Sequence, residues 1–210
     1  LKSKVFQIPI ENYEKGMVGE SFKDKKQEIL NLFTTYNKLR SEDEFNEIKY
    51  DLDEYCKEGN LEIIKILLSK TIQNSTNTLT FKIDETNQTA SLFKVNENIE
   101  ELIIPRTVKH KSTEYLITSI LGISYNIKTI KFSEDSAVKT FYGYAFRFSN
   151  IKEIYFPANL EELKEGWCCT KYLTRIIISP SNGQFKFIDD KYLVGKSNSN
   201  NDEFDTLLFA

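Results

Sequence analysis

The feature that most constrains how this chain can fold is a short apolar pattern that occurs four times in its C-terminal half. Each copy opens with an apolar residue, has a second one three positions later and a third two positions after the second. Side chains alternate between the two faces of a β-strand, so the second and third apolar residues point to the same side. One copy cannot bury that row alone, which predicts that the copies stack. They occupy residues 99–105, 127–133, 151–157 and 173–179.

The copies begin 28, 24 and 22 residues apart, which agrees with the roughly 20–29 residues of a leucine-rich repeat. Stacking at this spacing predicts a parallel sheet with one strand per copy and two inward columns of apolar side chains. Burial of each such side chain contributes roughly 1.5–3 kcal/mol to stability. The first column is predicted to hold Leu102, Ile130, Ile154 and Ile176, and the second Ile104, Phe132, Phe156 and Ile178.

The agreement between copies continues past the opening strand. A second pair of apolar positions is shared by three copies, and the first copy carries an insertion at residues 109–115 before it. Alternating residues at 79–84 and 90–95 predict a hairpin that caps the stack, since an open stack exposes the apolar face of its end unit. The shared positions are Ile117 and Ile120, Val138 and Phe141, and Leu160 and Leu163; Ala145 and Phe146 likewise correspond to Trp167 and Cys168.

The N-terminal part has a helical period instead. Apolar residues at steps of three and four predict an amphipathic helix over residues 24–40. A capping box formed by Ser41 and Glu44 begins a second helix. Gly59 ends that helix in a left-handed conformation, and Asn60 caps a third.

These patterns divide the chain into three parts: a helical domain at residues 1–72, a polar linker at 73–78 and the repeat domain at 79–210. Within the helical domain, residues 55–68 resemble the middle of an ankyrin repeat, and a plain helical hairpin is the alternative. The predicted class is α+β, with a small helical domain followed by a short leucine-rich-repeat β-solenoid with a hairpin cap. The apolar run at residues 206–210 suggests that the repeat domain is truncated at its C-terminus.

Composition favours binding over catalysis. The net charge of −3 gives no overall basic surface for nucleic acid, and no run approaches the roughly 20 apolar residues of a membrane span. A single His and few Cys argue against a zinc site, so no metal or cofactor is expected. No phosphate-binding loop or nucleophile motif occurs, and we therefore expect a protein that is not an enzyme. Cys56, Cys168 and Cys169 are expected to be buried reduced thiols.

The repeat unit resembles the BspA-like leucine-rich repeat, most clearly at residues 127–146 and 151–163. Residues 185–196 resemble the hairpin that closes many such arrays, with Asp189-Asp190 in place of the usual Asp-Gly turn and residues 206–210 as the returning strand. A helical region before such an array resembles the layout of surface-antigen-like families of parasitic protists. The resemblance implies a surface or secreted protein that binds host proteins, matrix or other cells, and it implies no catalytic residues.

Residues between the inward columns are predicted to face outward and to form a binding face of apolar, aromatic and charged side chains. The alternative is that they only support neighbouring strands through cross-strand pairing. A surface adhesion module is the first hypothesis and an intracellular scaffold the second. The sequons at Asn74 and Asn87 bear on this choice only if the chain is secreted. The candidate partner-binding residues are Lys131, Glu153, Tyr155, Arg175 and Ile177, beside Glu101, Ile103 and Thr129.

Overall fold

The computed structural model describes residues 25–36, 42–74, 78–96, 98–123, 126–147, 149–189, 191–197 and 203–209. The chain divides into two units, Leu1–Lys70 and Thr71–Ala210. The described part of the first unit is mainly helical, and that of the second is built from β-strands.

Three helices make up the described part of the first unit: α1 (Lys26–Tyr36), α2 (Glu42–Glu58) and α3 (Leu61–Leu68). Both α1 and α2 contact α3. Helix α1 buries Ile29 and Phe33, in agreement with the predicted period. Residues 24 and 37–40, which the prediction included in this helix, and the predicted cap Ser41 lie outside the described residues.

The turn between α2 and α3 forms as predicted. Gly59 has a φ of 66°, a left-handed conformation that glycine adopts without steric cost. Its N–H donates to the Cys56 carbonyl at 3.1 Å. The side chain of Asn60 then accepts a hydrogen bond from the Ile63 N–H at 3.3 Å and caps α3. The ankyrin resemblance of this hairpin stays a prediction.

The second unit contains three sheets. A four-stranded sheet has the order β11-β9-β7-β4, a second sheet has the order β1-β2-β3-β6-β8-β10 with β5 paired to β6, and a third has the order β12-β13-β14. The strands are β1 (Lys70–Gln73), β2 (Leu79–Asp84), β3 (Thr89–Val95), β4 (Glu101–Ile104), β5 (Thr107–His110), β6 (Thr113–Ile120), β7 (Thr129–Phe132), β8 (Thr140–Phe141), β9 (Glu153–Phe156), β10 (Glu162–Leu163), β11 (Arg175–Ile178), β12 (Phe185–Ile188), β13 (Tyr192–Gly195) and β14 (Thr206–Phe209).

The first three repeats each contribute a strand to both the first and the second sheet, whereas the fourth contributes β11 to the first sheet alone. Within these two sheets the strands of successive repeats pair in parallel. The second sheet contains the second residue of each shared apolar pair, because Ile120, Phe141 and Leu163 stand in register. Val138 and Leu160, the first residues of their pairs, are buried just before their strands. The insertion of the first repeat forms the antiparallel pair of β5 and β6. The chain is therefore α+β, with a small helical region followed by a short leucine-rich-repeat β-solenoid of about four turns.

The solenoid core between the two sheets is rich in aromatic rings. Phe141 is fully buried. Its ring centroid lies 5.9 Å from that of Phe132, 5.2 Å from Phe146, 5.6 Å from Phe156 and 6.2 Å from Trp167. Edge-to-face and tilted pairs at these distances add stability beyond burial alone. The side chains thus join two successive repeats, the second and the third.

The hairpin of β2 and β3 caps the N-terminal side of the stack. It is antiparallel within itself, while β3 pairs in parallel with β6, so the hairpin extends the second sheet. The first sheet has no strand from it. The buried Lys82 on β2 donates to the Thr71 hydroxyl at 2.8 Å and lies 5.0 Å from the centroid of the Phe93 ring.

The boundary region differs from the prediction. Strand β1 covers the end of the predicted helical domain and the first residue of the predicted linker. Ile72 on this strand is buried with the solenoid core. One apolar residue among polar ones carries no periodic signal, and the pairing of β1 with β2 is what defines the strand. Of the predicted linker, residues 75–77 lie outside the described residues.

The C-terminal hairpin forms as predicted. Strands β12 and β13 are antiparallel, and β14 returns along β13. Asp189 adopts a left-handed φ of 54° at the turn between β12 and β13, and the Lys191 N–H donates to the Ile188 carbonyl at 3.1 Å. Asp189 is therefore the first central residue of the turn, where the usual Asp-Gly sequence also has Asp and where hairpin turns need a positive φ; Asp190 lies outside the described residues.

The side chain of Asn182 joins two neighbouring turns at the corner that follows the first sheet. The Asn182 amide donates to the carbonyls of Pro157 at 2.8 Å and Leu160 at 3.0 Å in the preceding turn. Its carbonyl oxygen accepts from the N–H groups of Gln184 and Phe185. One side chain thus satisfies four backbone groups that the strands leave unpaired.

Candidate binding face of the solenoid

The first sheet has an inward and an outward side, and the register of the four strands fixes which residues share each side. The predicted column of Leu102, Ile130, Ile154 and Ile176 is aligned residue by residue and buried. In the second column Ile104 and Phe156 are buried, whereas Phe132 and Ile178 are partly buried and pack against the core. The predicted register of the inward-facing apolar residues is therefore confirmed.

The outward side carries two further columns. One contains Glu101, Thr129, Glu153 and Arg175, and the other contains Ile103, Lys131, Tyr155 and Ile177. The structure therefore places all five predicted partner-binding residues on one face. Ile103 is 59% exposed, while Tyr155 and Ile177 are half-buried.

Lys131 occupies the middle of the second outward column and interrupts the predicted apolar ladder between Ile103 and Tyr155. Its ammonium is 3.0 Å from the Glu101 carboxylate and 5.6 Å from the centroid of the Tyr155 ring. The hydrogen bond to Glu101 raises the pKa of the Lys131 amine above its ordinary value. The ladder is thus a mixed row in which a cation separates two apolar side chains.

A second ion pair joins the next two strands. The Arg175 guanidinium is 3.1 Å from a Glu153 carboxylate oxygen, and the two side chains are 67% and 23% exposed. Exposed pairs of this kind contribute at most about 1 kcal/mol to stability. Because Glu153 is the more covered partner, the positive end of the pair is what the face presents to solvent.

These contacts also agree with the alternative interpretation, in which the outward residues support neighbouring strands. Lys131 and Arg175 each bind a carboxylate from the neighbouring strand, which is the cross-strand support considered from the sequence. The outward position of these residues was predicted from the sequence, but the specific pairs were not. The signal that could have found them is the opposite charge at equivalent or diagonal positions, Glu101 against Lys131 and Glu153 against Arg175.

The three cysteines are free thiols. Burial raises the pKa of Cys56 to about 12, with a further increase from the charge of Asp53. Burial raises the pKa of Cys168 to about 11. The expectation that all three thiols are buried holds only in part for Cys168, which is partly buried, and is wrong for Cys169, which is exposed. Trp167 fills the core at this corner, and the next two residues lie progressively further out of it.

The part of the chain that the structure describes offers little support for a metal site, a pair of free carboxylates or a membrane span. No group of three or more His, Cys, Asp or Glu residues there could hold a metal ion. Two of the carboxylates at residues 161–165 are engaged by lysines, with Glu161 3.0 Å from Lys139 and Glu162 2.7 Å from Lys164. No helix among the described residues is long and apolar enough to cross a membrane.

No family model matches the sequence, and no curated protein matches it. The solved structures to which the chain is similar include the pneumococcal vaccine antigen PcpA, with 18% identity, a TM-score of 0.37 and coverage of 55% of this chain and 39% of that one. They also include a leucine-rich cell surface protein from Faecalibacterium prausnitzii A2-165, with 14% identity, a TM-score of 0.28 and coverage of 61% and 59%. The chain spans less than two thirds of the length of either protein.

Proposed function

We propose that this chain is a non-enzymatic protein-binding module whose partner docks on the outward face of the first sheet. The observation that carries the proposal is the exposed Ile103 beside Lys131, Tyr155 and Arg175 on four aligned strands. Exposed apolar and aromatic side chains with charged neighbours are typical of interaction surfaces. Tyrosine and arginine are also the residue types that contribute most to binding energy in interfaces.

The rigidity of the face supports the same proposal. Backbone hydrogen bonds hold the outward side chains in register, and the ion pairs of Lys131 and Arg175 restrict two long side chains before a partner arrives. A side chain that is already ordered loses less conformational entropy on binding, which increases affinity for a given contact area.

The proposal that the chain is not an enzyme is supported by the state of its reactive groups. A thiol must ionise to act as a nucleophile, and burial raises the pKa of Cys56 and Cys168 far above neutral pH. On the outward face, Lys131 is stabilised in its charged form by Glu101, which makes it a poor base. None of these three groups supplies a nucleophile or a base at the outward face.

We further propose an adhesion role at the cell surface, toward a host or matrix protein. The support is the resemblance of residues 127–146 and 151–163 to the BspA-like repeat. Immunostaining of intact, unpermeabilised cells tests the location: labelling would support the surface role, and labelling only after permeabilisation would favour the intracellular scaffold.

The binding face is tested with the purified chain and a panel of immobilised extracellular-matrix and host-cell surface proteins. Wild type is compared with Tyr155→Ala/Arg175→Ala and with the control Lys109→Ala, which changes an exposed side chain on β5. We expect a partner whose affinity falls tenfold or more in the double variant, since two interface anchors typically contribute about 1–2 kcal/mol each. A partner bound equally by all three proteins would contradict this face, and the absence of any bound protein would contradict the proposed function.

A further inference from the structure

One side of the solenoid has an unusual charge. The chain returns from the second sheet to the first through three segments, residues 121–128, 142–152 and 166–174, of which 124, 125 and 148 lie outside the described residues; we call the described part of these segments the return corner. Together they hold 28 residues, with four cations and neither Asp nor Glu. The whole chain has 31 acidic residues in 210, so a stretch of this length would hold about four on average. The cations are Lys128, Arg147, Lys152 and Lys171.

The three segments lie on one another turn by turn. The Lys152 N–H donates to the Lys128 carbonyl at 2.8 Å, and the Thr174 N–H donates to the Lys152 carbonyl at 2.9 Å. Between the second and third segments, the Thr170 hydroxyl donates to the Ser149 carbonyl at 2.9 Å. Cations that are separated in sequence are therefore brought to one corner.

Aromatic rings accompany the cations. The Arg147 guanidinium lies 5.0 Å from the centroid of the Tyr144 ring, and the Lys171 ammonium lies 5.3 Å from that of Tyr172. Tyr172 is 44% exposed, and Lys152 and Lys171 are exposed. The corner thus presents positive charge together with an accessible ring.

In the second and third turns, the opposite corner, where the chain passes from the first sheet to the second, has the reverse character. Residues 133–139 and 157–161 contain three acidic residues and one lysine. Two of these charges, Lys139 and Glu161, pair across turns at 3.0 Å. The first turn differs, because its passage at residues 105–112 is basic. In the second and third turns the excess of positive charge therefore lies on the return side, in a chain whose net charge is negative.

Ion pairs elsewhere in the solenoid indicate that a carboxylate is the anion that the cations of the return corner would bind. At four other places a cation takes a carboxylate from the adjacent turn: Arg106 with Asp135, Lys131 with Glu101, Lys139 with Glu161, and Arg175 with Glu153. At the return corner Lys128 pairs with Glu100, whereas neither Lys152 nor Lys171 pairs with a carboxylate among the described residues. The turn neighbours of Lys152 are Lys128 and Thr174, neither of which offers a carboxylate. Two lysines on adjacent turns repel each other, and a bound carboxylate would relieve that repulsion.

We propose that the return corner is a second docking surface and that it binds an extended acidic segment of a partner protein. Glutamate or aspartate side chains of that segment pair with Lys152 and Lys171, and its intervening residues pack on Tyr172. The surface is separate from the outward face of the first sheet, so its loss would leave binding at that face intact.

The test measures fluorescence anisotropy of the whole chain with a labelled peptide of about eight residues that alternates Glu and Thr, long enough to span the corner when extended. A peptide with Gln in place of Glu and a heparin fragment are the comparison ligands. The variant Lys152→Gln/Lys171→Gln is matched by Lys109→Gln/Lys191→Gln, which removes the same charge from exposed sites elsewhere.

We expect the Glu peptide to bind, the Gln peptide not to bind, and affinity to fall about fivefold or more in the Lys152/Lys171 variant, as expected for two exposed ion pairs. Binding should weaken between about 10 mM and 150 mM salt as the screening length falls from about 30 Å to 8 Å. Failure of the Glu peptide to bind, or an equal loss in the Lys109/Lys191 control, would overturn the proposal. The alternative result is that heparin binds more tightly than the Glu peptide and that its binding depends on Lys152 and Lys171. That result would identify the ligand as a sulfated saccharide and would also overturn the proposal of an acidic protein segment.

Discussion

Replacement of Phe141 by alanine should destabilise the solenoid more than any change on its surface. The side chain is fully buried, and its ring contacts those of Phe132, Phe146, Phe156 and Trp167. Truncation of a buried phenylalanine costs about 3–5 kcal/mol through lost transfer energy and the cavity that remains. The loss of four aromatic contacts places Phe141→Ala toward the upper end of that range. Domains of this size are stable by about 5–15 kcal/mol in total.

Urea unfolding measures this cost directly. Trp167 is the chain's one tryptophan and is buried in the core, so its fluorescence reports on the solenoid. With a urea dependence of about 2 kcal/mol per molar, a loss of about 4 kcal/mol lowers the midpoint by about 2 M. Circular dichroism provides a second probe, because the substitution lies next to the indole.

Two further variants are controls for the effect of Phe141→Ala. Phe141→Leu keeps most of the volume and should cost about 1–2 kcal/mol. Ile103→Ala removes a large apolar side chain that is 59% exposed and should change stability by about 0.5 kcal/mol or less. If Phe141→Ala cost no more than Ile103→Ala, the aromatic cluster would not be the main stabilising contact between repeats.

Three other predictions concern hydrogen bonds and thiols. Asn182→Ala should lower the free energy of unfolding by about 2–3 kcal/mol in the same urea assay, because four backbone groups lose a partner, whereas the exposed Asn150→Ala should have little effect. Iodoacetamide at about pH 8 should modify Cys169 first, since a thiol must be accessible and ionised to react, and peptide mass spectrometry should find Cys56 and Cys168 labelled only after unfolding. The pKa of Cys56 is raised to about 12 from its usual 9, so the folded state keeps a proton that the unfolded state loses. The stability of the helical unit should therefore fall as pH rises from 9 toward 12, and Cys56→Ala should flatten that decline.

Each of these three predictions has a result that would contradict it. Equal stability of wild type and the Asn182 variant would mean that water replaces the amide at no cost. Labelling of all three thiols at one rate would contradict their assigned burial. A helical signal whose pH dependence is the same with and without Cys56 would show that other groups cause the decline.

The strand register of the first sheet could be predicted from the sequence because two independent signals agree there. Alternation determines which residues of a strand face inward, and the repeat determines which residues of different strands are equivalent. Leu102, Ile130, Ile154 and Ile176 satisfy both. The cap at Asn60 could also be predicted, since it depends on groups within three residues.

The features that the sequence did not reveal depend on contacts between distant residues. Strand β1 exists through its pairing with β2, and its single buried residue, Ile72, has no periodic neighbours. The position of Lys131 between Ile103 and Tyr155 could be read from the repeat alignment. Its bond to Glu101 was not predicted: the opposite charges at diagonal positions allow the pair, but they do not decide which of several partners a long side chain takes. The binding role of the five outward residues stays a prediction.

The unequal lengths of the repeats have a consequence for how such a chain can change. Successive copies start 28, 24 and 22 residues apart, yet their strands align residue by residue. The extra residues of the first copy form the hairpin of β5 and β6 on the second sheet. Adjacent strands stay about 4.8 Å apart whatever lies between them. Insertions and deletions at the corners can therefore accumulate over evolution, or be introduced by design, while the spacing of outward side chains is inherited unchanged.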